Sequence, residues 1–107
     1  MSTIEQDVES TPVIFRKDRG GPFKGVVTAI FPTQPGTYRL NDYICYQHIG
    51  QHGTCDLGWY QKTRKASPEE YAELAKELES QGYRLKIYQK FNRKLICEYR
   101  KQMNALQ

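Results

Sequence analysis

The stretch SPEEYAELAKELESQG, residues 67–82, carries a full set of helix signals and decides the fold class. Ser67 is a favoured N-cap residue, and Pro68 suits the first helical position. Glu70 completes a capping box with Ser67, because each side chain can bond the other's backbone N–H. Gly82 follows as a stop signal. These signals predict a helix over about residues 68–81.

The apolar residues of this helix fall on one stripe. They recur at i, i+3, i+4 and i+7, at Tyr71, Leu74, Ala75 and Leu78. Such spacing is typical of an amphipathic helix that packs on a core. The helix is therefore predicted to cover one face of a sheet.

YRLKIYQK, residues 83–90, follows the helix and alternates as a strand does. Its apolar side holds Tyr83, Leu85 and Ile87, and its other side holds Arg84, Lys86, Tyr88 and Lys90. The tail NRKLICEYRKQMNALQ, residues 92–107, fits a second helix better than a strand. In a helix one stripe collects Leu95, Ile96, Tyr99, Met103 and Leu106, and Asn92 can act as the N-cap.

Short β-rich runs precede the first helix. PVIFRK (12–17) and VVTAIF (26–31) predict a hairpin, YICYQHI (43–49) a third strand and WYQKT (59–63) a short fourth strand. FPTQPGTYRLND reads as an irregular connection. The predicted fold is α+β: an antiparallel sheet of four to five strands, the central helix on one face, and a C-terminal helix.

Length and composition predict one domain with polar ends. A chain of 107 residues suits a single core. We predict an acidic flexible leader over 1–11, one α+β domain over 12–91 and a basic amphipathic tail over 92–107. No apolar run approaches a membrane span, and the start of the chain lacks the features of a secretory signal. These features predict a cytoplasmic protein without membrane contact, and the three cysteines are predicted to be reduced thiols.

The segment YQHIGQHGTC, residues 46–55, suggests chemistry at first sight. Together with Cys45, which directly precedes it, the segment contains four residues of the types that bind zinc: Cys45, His48, His52 and Cys55. The spacing argues against such a site, because a strand over 43–49 points Cys45 and His48 to opposite faces. We assign no metal, cofactor or catalytic residue. Gly50 and Gly53 are predicted to let Ile49–Thr54 turn sharply, so that both histidines brace the loop or contact a partner.

Cations accumulate towards the C-terminus. The net charge is +4, and residues 84–107 hold seven Lys or Arg against Glu98 alone. The predicted binding residues on the strand and its exit are Arg84, Lys86, Tyr88, Lys90, Arg93 and Lys94, with His48 and His52 as further contacts. Cations that contact phosphates and rings that stack on bases are typical of nucleic-acid readers. Such cations also serve solubility and protect sheet edges. A second cluster holds Lys62, Arg64 and Lys65.

The motifs FRK, AIFP, YQHIGQHG and SPEEYAELAKELESQGYRLKI together resemble those of short uncharacterised bacterial proteins associated with phages and other mobile elements. The resemblance covers roughly residues 13–90. It implies no assigned activity and therefore no functional residues. It favours proteins that act by binding host or phage machinery, including defence inhibitors.

The sequence predicts a non-enzymatic binding module that engages nucleic acid, or an acidic or nucleic-acid-handling protein, through the basic strand and tail. Two rival hypotheses remain open. One is a small metal- or cysteine-dependent enzyme centred on His48, His52 and Cys55. The other is a self-associating structural or assembly protein, and the sequence leaves the oligomeric state open.

Overall fold

A computed structural model describes residues 10–47 and 51–106 and confirms the α+β class. In chain order the strands are β1 (Thr11–Asp18), β2 (Val27–Pro35), β3 (Asp42–Gln47), β4 (Gln51–Asp56), β5 (Thr63–Lys65) and β6 (Leu85–Tyr88). The α-helices are α1 (Leu57–Gln61), α2 (Pro68–Ser80) and α3 (Arg93–Ala105). A 3-10 turn at Gly21–Phe23 lies between β1 and β2.

The strands form one six-stranded sheet in the order β4-β3-β2-β1-β5, with β6 also paired to β1. The predicted β1–β2 hairpin is confirmed, with Ile14 opposite Ile30. The sheet differs from the prediction in strand number and in one parallel pair. β6 runs parallel to β1 and places Thr11 opposite Leu85, while β5 pairs with the other end of β1. β1 also begins one residue inside the predicted leader, and residues 1–9 lie outside the described part of the chain.

Helices cover both faces of the sheet. On one face Leu74 and Leu78 of α2 pack against Val13, Phe15, Ala29, Phe31 and Tyr46. On the other face Tyr99 and Met103 of α3 pack against Ile30 and Tyr43. Because both faces are buried, β1 and β2 contain nearly continuous apolar runs rather than a simple alternation.

The signals at both ends of α2 act as predicted. The Ser67 Oγ accepts from the Glu70 N–H at 3.3 Å, and the Glu70 Oε1 accepts from the Ser67 N–H at 2.9 Å. This capping box satisfies two N–H groups that a helix start leaves without partners. Gly82 follows the helix with φ of 102°, which glycine adopts readily. Asn92 likewise caps α3, because its Oδ1 accepts from the Leu95 N–H at 2.9 Å.

Two predictions for the residues that follow β3 are wrong. Residues 51–56 form an edge strand, so Gly53 lies in extended backbone opposite Cys45 rather than in a sharp turn. The predicted strand over 59–63 is largely helical, since α1 takes in Trp59. The cause is the Asp56 carboxylate, which accepts from the Trp59 N–H at 2.8 Å and caps α1.

α1 crosses the sheet on the face that α3 also covers. It connects β4 at one edge to β5 beyond β1 at the other. The Arg16 guanidinium lies 4.3 Å from the centroid of the Tyr60 ring, and its Nε donates to the Thr63 Oγ1 at 2.9 Å. The Thr63 Oγ1 in turn donates to the Tyr60 carbonyl at 2.7 Å. These contacts fix α1 against the centre of the sheet.

Glu70 is also the centre of an ion-pair cluster that joins α2 to β1 and β5. Its Oε2 lies 2.7 Å from both the Lys17 Nζ and the Arg64 Nη2. Hydrogen bonds from Arg64, from Lys17 and from the Ser67 N–H hold the pKa of the Glu70 carboxyl well below its usual range.

Glu70 is therefore expected to contribute stability at neutral pH that is lost as the solution becomes acidic. A carboxyl whose folded pKa is depressed stabilises the fold above its unfolded pKa of about 4, and that contribution disappears as pH falls towards the folded pKa. Glu70→Gln should flatten the decline of melting temperature between about pH 5 and pH 2. Glu69→Gln, an exposed neighbour in the same helical turn, is the control. Equal pH profiles for wild type and Glu70→Gln would contradict the prediction.

Candidate nucleic-acid interface

Lys86 and Tyr88 of β6 project towards the sheet face that α3 covers. The parallel register places Lys86 beside Pro12 and Tyr88 beside Ile14, while Ile87 lies beside Val13, which faces α2. Since paired residues of neighbouring strands share a face, the predicted alternation of this strand is retained over residues 85–88. The strand itself is shorter than the predicted 83–90.

A groove of about 560 Å³ runs between β6 and α3 and brings three of the predicted residues together. Lys86, Tyr88 and Lys94 line it, and the Lys86 Nζ lies 5.8 Å from the centroid of the half-buried Tyr88 ring. Glu98 lies in the same groove, one helical turn after Lys94. The groove thus combines two ammonium groups, one ring and one carboxylate.

The other predicted cations lie around α3 rather than in one row. Lys90 lines a second groove on the opposite flank of α3, together with Arg100. Arg93 is exposed at the start of α3. Arg84 precedes β6, and its backbone carbonyl accepts from the Thr11 N–H at 2.7 Å. The predicted set therefore surrounds α3, which separates Lys86 and Lys94 from Lys90.

His52 lies on the other face of the sheet, away from these cations. Its Nε2 is 2.9 Å from the Tyr83 hydroxyl, and its ring centroid lies 4.9 Å from that of Tyr46 and 6.0 Å from that of Phe31. Of its two predicted roles, these contacts fit the bracing one. His48 falls outside the described residues.

The rival site of histidine and cysteine is divided by the sheet. His52 and Cys55 are three residues apart in β4, so His52 faces α2 whereas Cys55 packs towards Tyr43 and α3. The Cys45 thiol, through a side-chain hydrogen bond, and burial both raise the pKa of the Cys55 thiol. Among the described residues Cys55 therefore has no histidine base beside it, and its raised pKa disfavours the thiolate; His48 lies outside the described part of the chain. Within residues 10–47 and 51–106, no cluster of three or more metal-ligating side chains occurs.

Two of the three cations in the second basic cluster contact other side chains of the fold, whereas Lys62 is exposed. Arg64 binds Glu70 through both terminal nitrogens, and the Lys65 Nζ donates to the Gln89 Oε1 at 3.1 Å on the surface. Arg64 thus supports the residue that caps α2. By contrast Arg100 and Lys101, which were not among the predicted binding residues, are exposed on α3. Their positions on a basic amphipathic helix were the signal that could have added them.

No helix in the described part of the chain has the length and apolar character needed to cross a membrane. Comparison with family models, with curated proteins and with solved structures finds no match to this chain.

Proposed function

We propose that the chain is a small binding module that engages single-stranded nucleic acid along α3 and β6. Six cations on and beside these elements define the α3 basic surface: Lys86, Lys90, Arg93, Lys94, Arg100 and Lys101. All six are exposed. The only acidic residue on these two elements is Glu98.

The observation that carries the proposal is the concentration of exposed cations on α3 and beside it. Within the described residues no member of the α3 basic surface forms an ion pair, and the same holds for scattered lysines such as Lys24 and Lys76, whereas Lys17 and Arg64 pair with Glu70. What distinguishes the α3 basic surface is that six such cations lie within one helix, its entry and a neighbouring strand, where they leave a local excess of charge. Phosphates neutralise such an excess and release counterions.

The Tyr88 ring favours single strands over duplexes. A half-buried ring flanked by Lys86 and Lys94 offers a stacking surface between two phosphate contacts. Combining rings with cations suits an unpaired strand, whose bases are accessible. The chain would bind as an accessory that covers or presents such a strand.

Removing two of these cations should weaken binding and its salt dependence together. For Lys86→Ala/Lys94→Ala we expect about tenfold weaker binding of a labelled single-stranded oligonucleotide at low salt. The slope of log K against log salt should fall by about 0.7 for each lost phosphate contact. Fluorescence polarisation across a salt series measures both quantities, with DNA and RNA of one sequence and with the matching duplex.

The matched control removes the same charge from other surfaces. Lys24→Ala/Lys76→Ala changes exposed lysines in the β1–β2 turn and on α2, and it should leave binding within about twofold of wild type. Equal losses of affinity in both double variants would show that binding depends on the net charge of the protein and not on the α3 basic surface. No binding at low salt would refute direct contact with nucleic acid. A pull-down experiment would then test the alternative that the α3 basic surface binds an acidic protein.

A further inference from the structure

The groove on the far flank of α3, called here the α1–α3 groove, differs in character from the rest of the basic surface. It has a volume of about 460 Å³, within the range of small-molecule pockets. Its walls are α1 on one side and α3 on the other, and the β2–β3 loop closes one end. It is lined by Leu40, Asn41, Tyr43, Leu57, Tyr60, Gln61, Lys90, Phe91, Ile96, Tyr99 and Arg100.

Aromatic rings form the floor of the groove. The Phe91 ring lies 5.2 Å from that of Tyr43 and 5.1 Å from that of Tyr60, and Tyr43 lies 4.5 Å from Tyr99. Tyr43 and Tyr99 are buried, whereas Phe91 and Tyr60 are partly accessible. Because the Phe91 ring is tilted by 51° to Tyr43 and lies edge-on to Tyr60 at 73°, a flat apolar ligand can stack on Phe91 or on Tyr60, without displacing the buried tyrosines.

The rim adds apolar edges and two amides. Leu40 is 64% exposed and Ile96 is 40% exposed, so both leave apolar surface open to solvent. Asn41 has φ of 71°, and its carbonyl accepts from the Leu57 N–H at 3.1 Å, which fixes the turn beside α1. The side-chain amides of Asn41 and Gln61 each carry donors and an acceptor, the groups that pair with base edges.

Lys90 and Arg100 supply positive charge at the groove, and no described Asp or Glu lines it. Both residues also belong to the α3 basic surface, so the groove opens directly beside the proposed path of the phosphates. A long apolar tail would use the rings but would leave the amides without partners. A nucleotide can use the rings, the amides and the cations together.

We infer that the α1–α3 groove holds one unpaired nucleobase of a bound single strand, with the adjoining phosphates on Lys90 and Arg100. This inference rests on the proposed function and adds base recognition to it. The base would stack on Phe91 or Tyr60, the two partly accessible rings of the groove, and Asn41 and Gln61 would contact its edge. The groove would convert a largely electrostatic interaction into one that also depends on an unstacked base.

The test compares an intact oligonucleotide with one of equal length and charge that carries abasic residues. Both are bound to wild type, to Ile96→Glu and to Cys97→Glu. The two variants add one carboxylate to neighbouring exposed positions of α3, but only residue 96 lines the groove. Wild type and Cys97→Glu should bind the intact strand about tenfold more tightly than the abasic strand, and Ile96→Glu should lose that preference.

The outcomes separate the inference from the proposed function. Equal, salt-dependent binding of intact and abasic strands to wild type would overturn base recognition while leaving the phosphate interface in place. A preference that persists in Ile96→Glu would also overturn it, because the base would then bind elsewhere. If no oligonucleotide binds at low salt, the proposed function itself fails. Circular dichroism of both variants checks that α3 remains folded.

Discussion

Replacing Tyr99 with alanine is expected to lower the free energy of unfolding by about 3–5 kcal/mol. Tyr99 is 3% exposed and is the central contact of α3 with the sheet. Its ring lies 4.5 Å from that of Tyr43, and its hydroxyl donates to the Asp42 carbonyl at 2.9 Å. Truncation would leave a cavity beneath α3 and remove one of the two donors to that carbonyl, the other being the Gly36 N–H.

Chemical denaturation of Tyr99→Ala, Tyr99→Phe and Arg100→Ala tests this expectation. Tyr99→Phe keeps the ring and loses only the hydroxyl, so it should cost about 1 kcal/mol. Arg100→Ala changes the exposed neighbour on the same helix and should stay within about 0.5 kcal/mol. Similar losses for Tyr99→Ala and Tyr99→Phe would show that the ring contributes little packing.

Gly36→Ala is expected to destabilise the fold by about 1–3 kcal/mol through overpacking. A Cβ at this position would lie 2.7 Å from the Tyr43 carbonyl oxygen and 2.7 Å from the Thr54 Cγ2. Backbone cannot yield as a flexible side chain can. The Gly36 N–H also donates to the Asp42 carbonyl at 3.0 Å, so the loop between β2 and β3 cannot move away without losing this bond.

Gly53→Ala is the matched control for Gly36→Ala. A Cβ on Gly53 would have only the Cys45 Sγ, at 4.0 Å, as a near neighbour, which is ordinary van der Waals contact. Alanine in this exposed strand position should leave the unfolding midpoint nearly unchanged, because no contact is strained. A larger loss in Gly53→Ala than in Gly36→Ala would reverse the expected order.

The helices that flank the sheet were predictable because their signals are local. Ser67 and Glu70, which form the capping box, are three residues apart, and the apolar stripe of α3 lies within one helix of 13 residues. The parallel pairing of β6 with β1 carries no such signal, since it depends on how α2 returns the chain across the sheet. The exposed positions of Ile96 and Leu106, which the sequence placed on the buried stripe of α3, reflect the same limit.

The candidate interface was predictable in part for a related reason. Alternation placed Lys86 and Tyr88 on one strand face, and the structure sets Lys94 beside them. The α1–α3 groove was beyond sequence reasoning, because Trp59 and Tyr60 have strong β propensity and were assigned to a strand. Only the cap from Asp56 turns them into a helix, and without that helix the groove has no second wall.

The pairing of the last strand with the first also sets the order in which the chain can fold. As the chain emerges from the ribosome, β1 can pair with β2 at once, because a short turn joins them. The stretch Thr11–Ile14 on the other edge of β1 must wait until residues 85–88 have been synthesised. Contacts so distant in sequence form slowly, and an open apolar strand edge is prone to aggregate in the meantime. Newly made chains are therefore expected to be most prone to aggregation until α2 has formed and β6 has paired with β1.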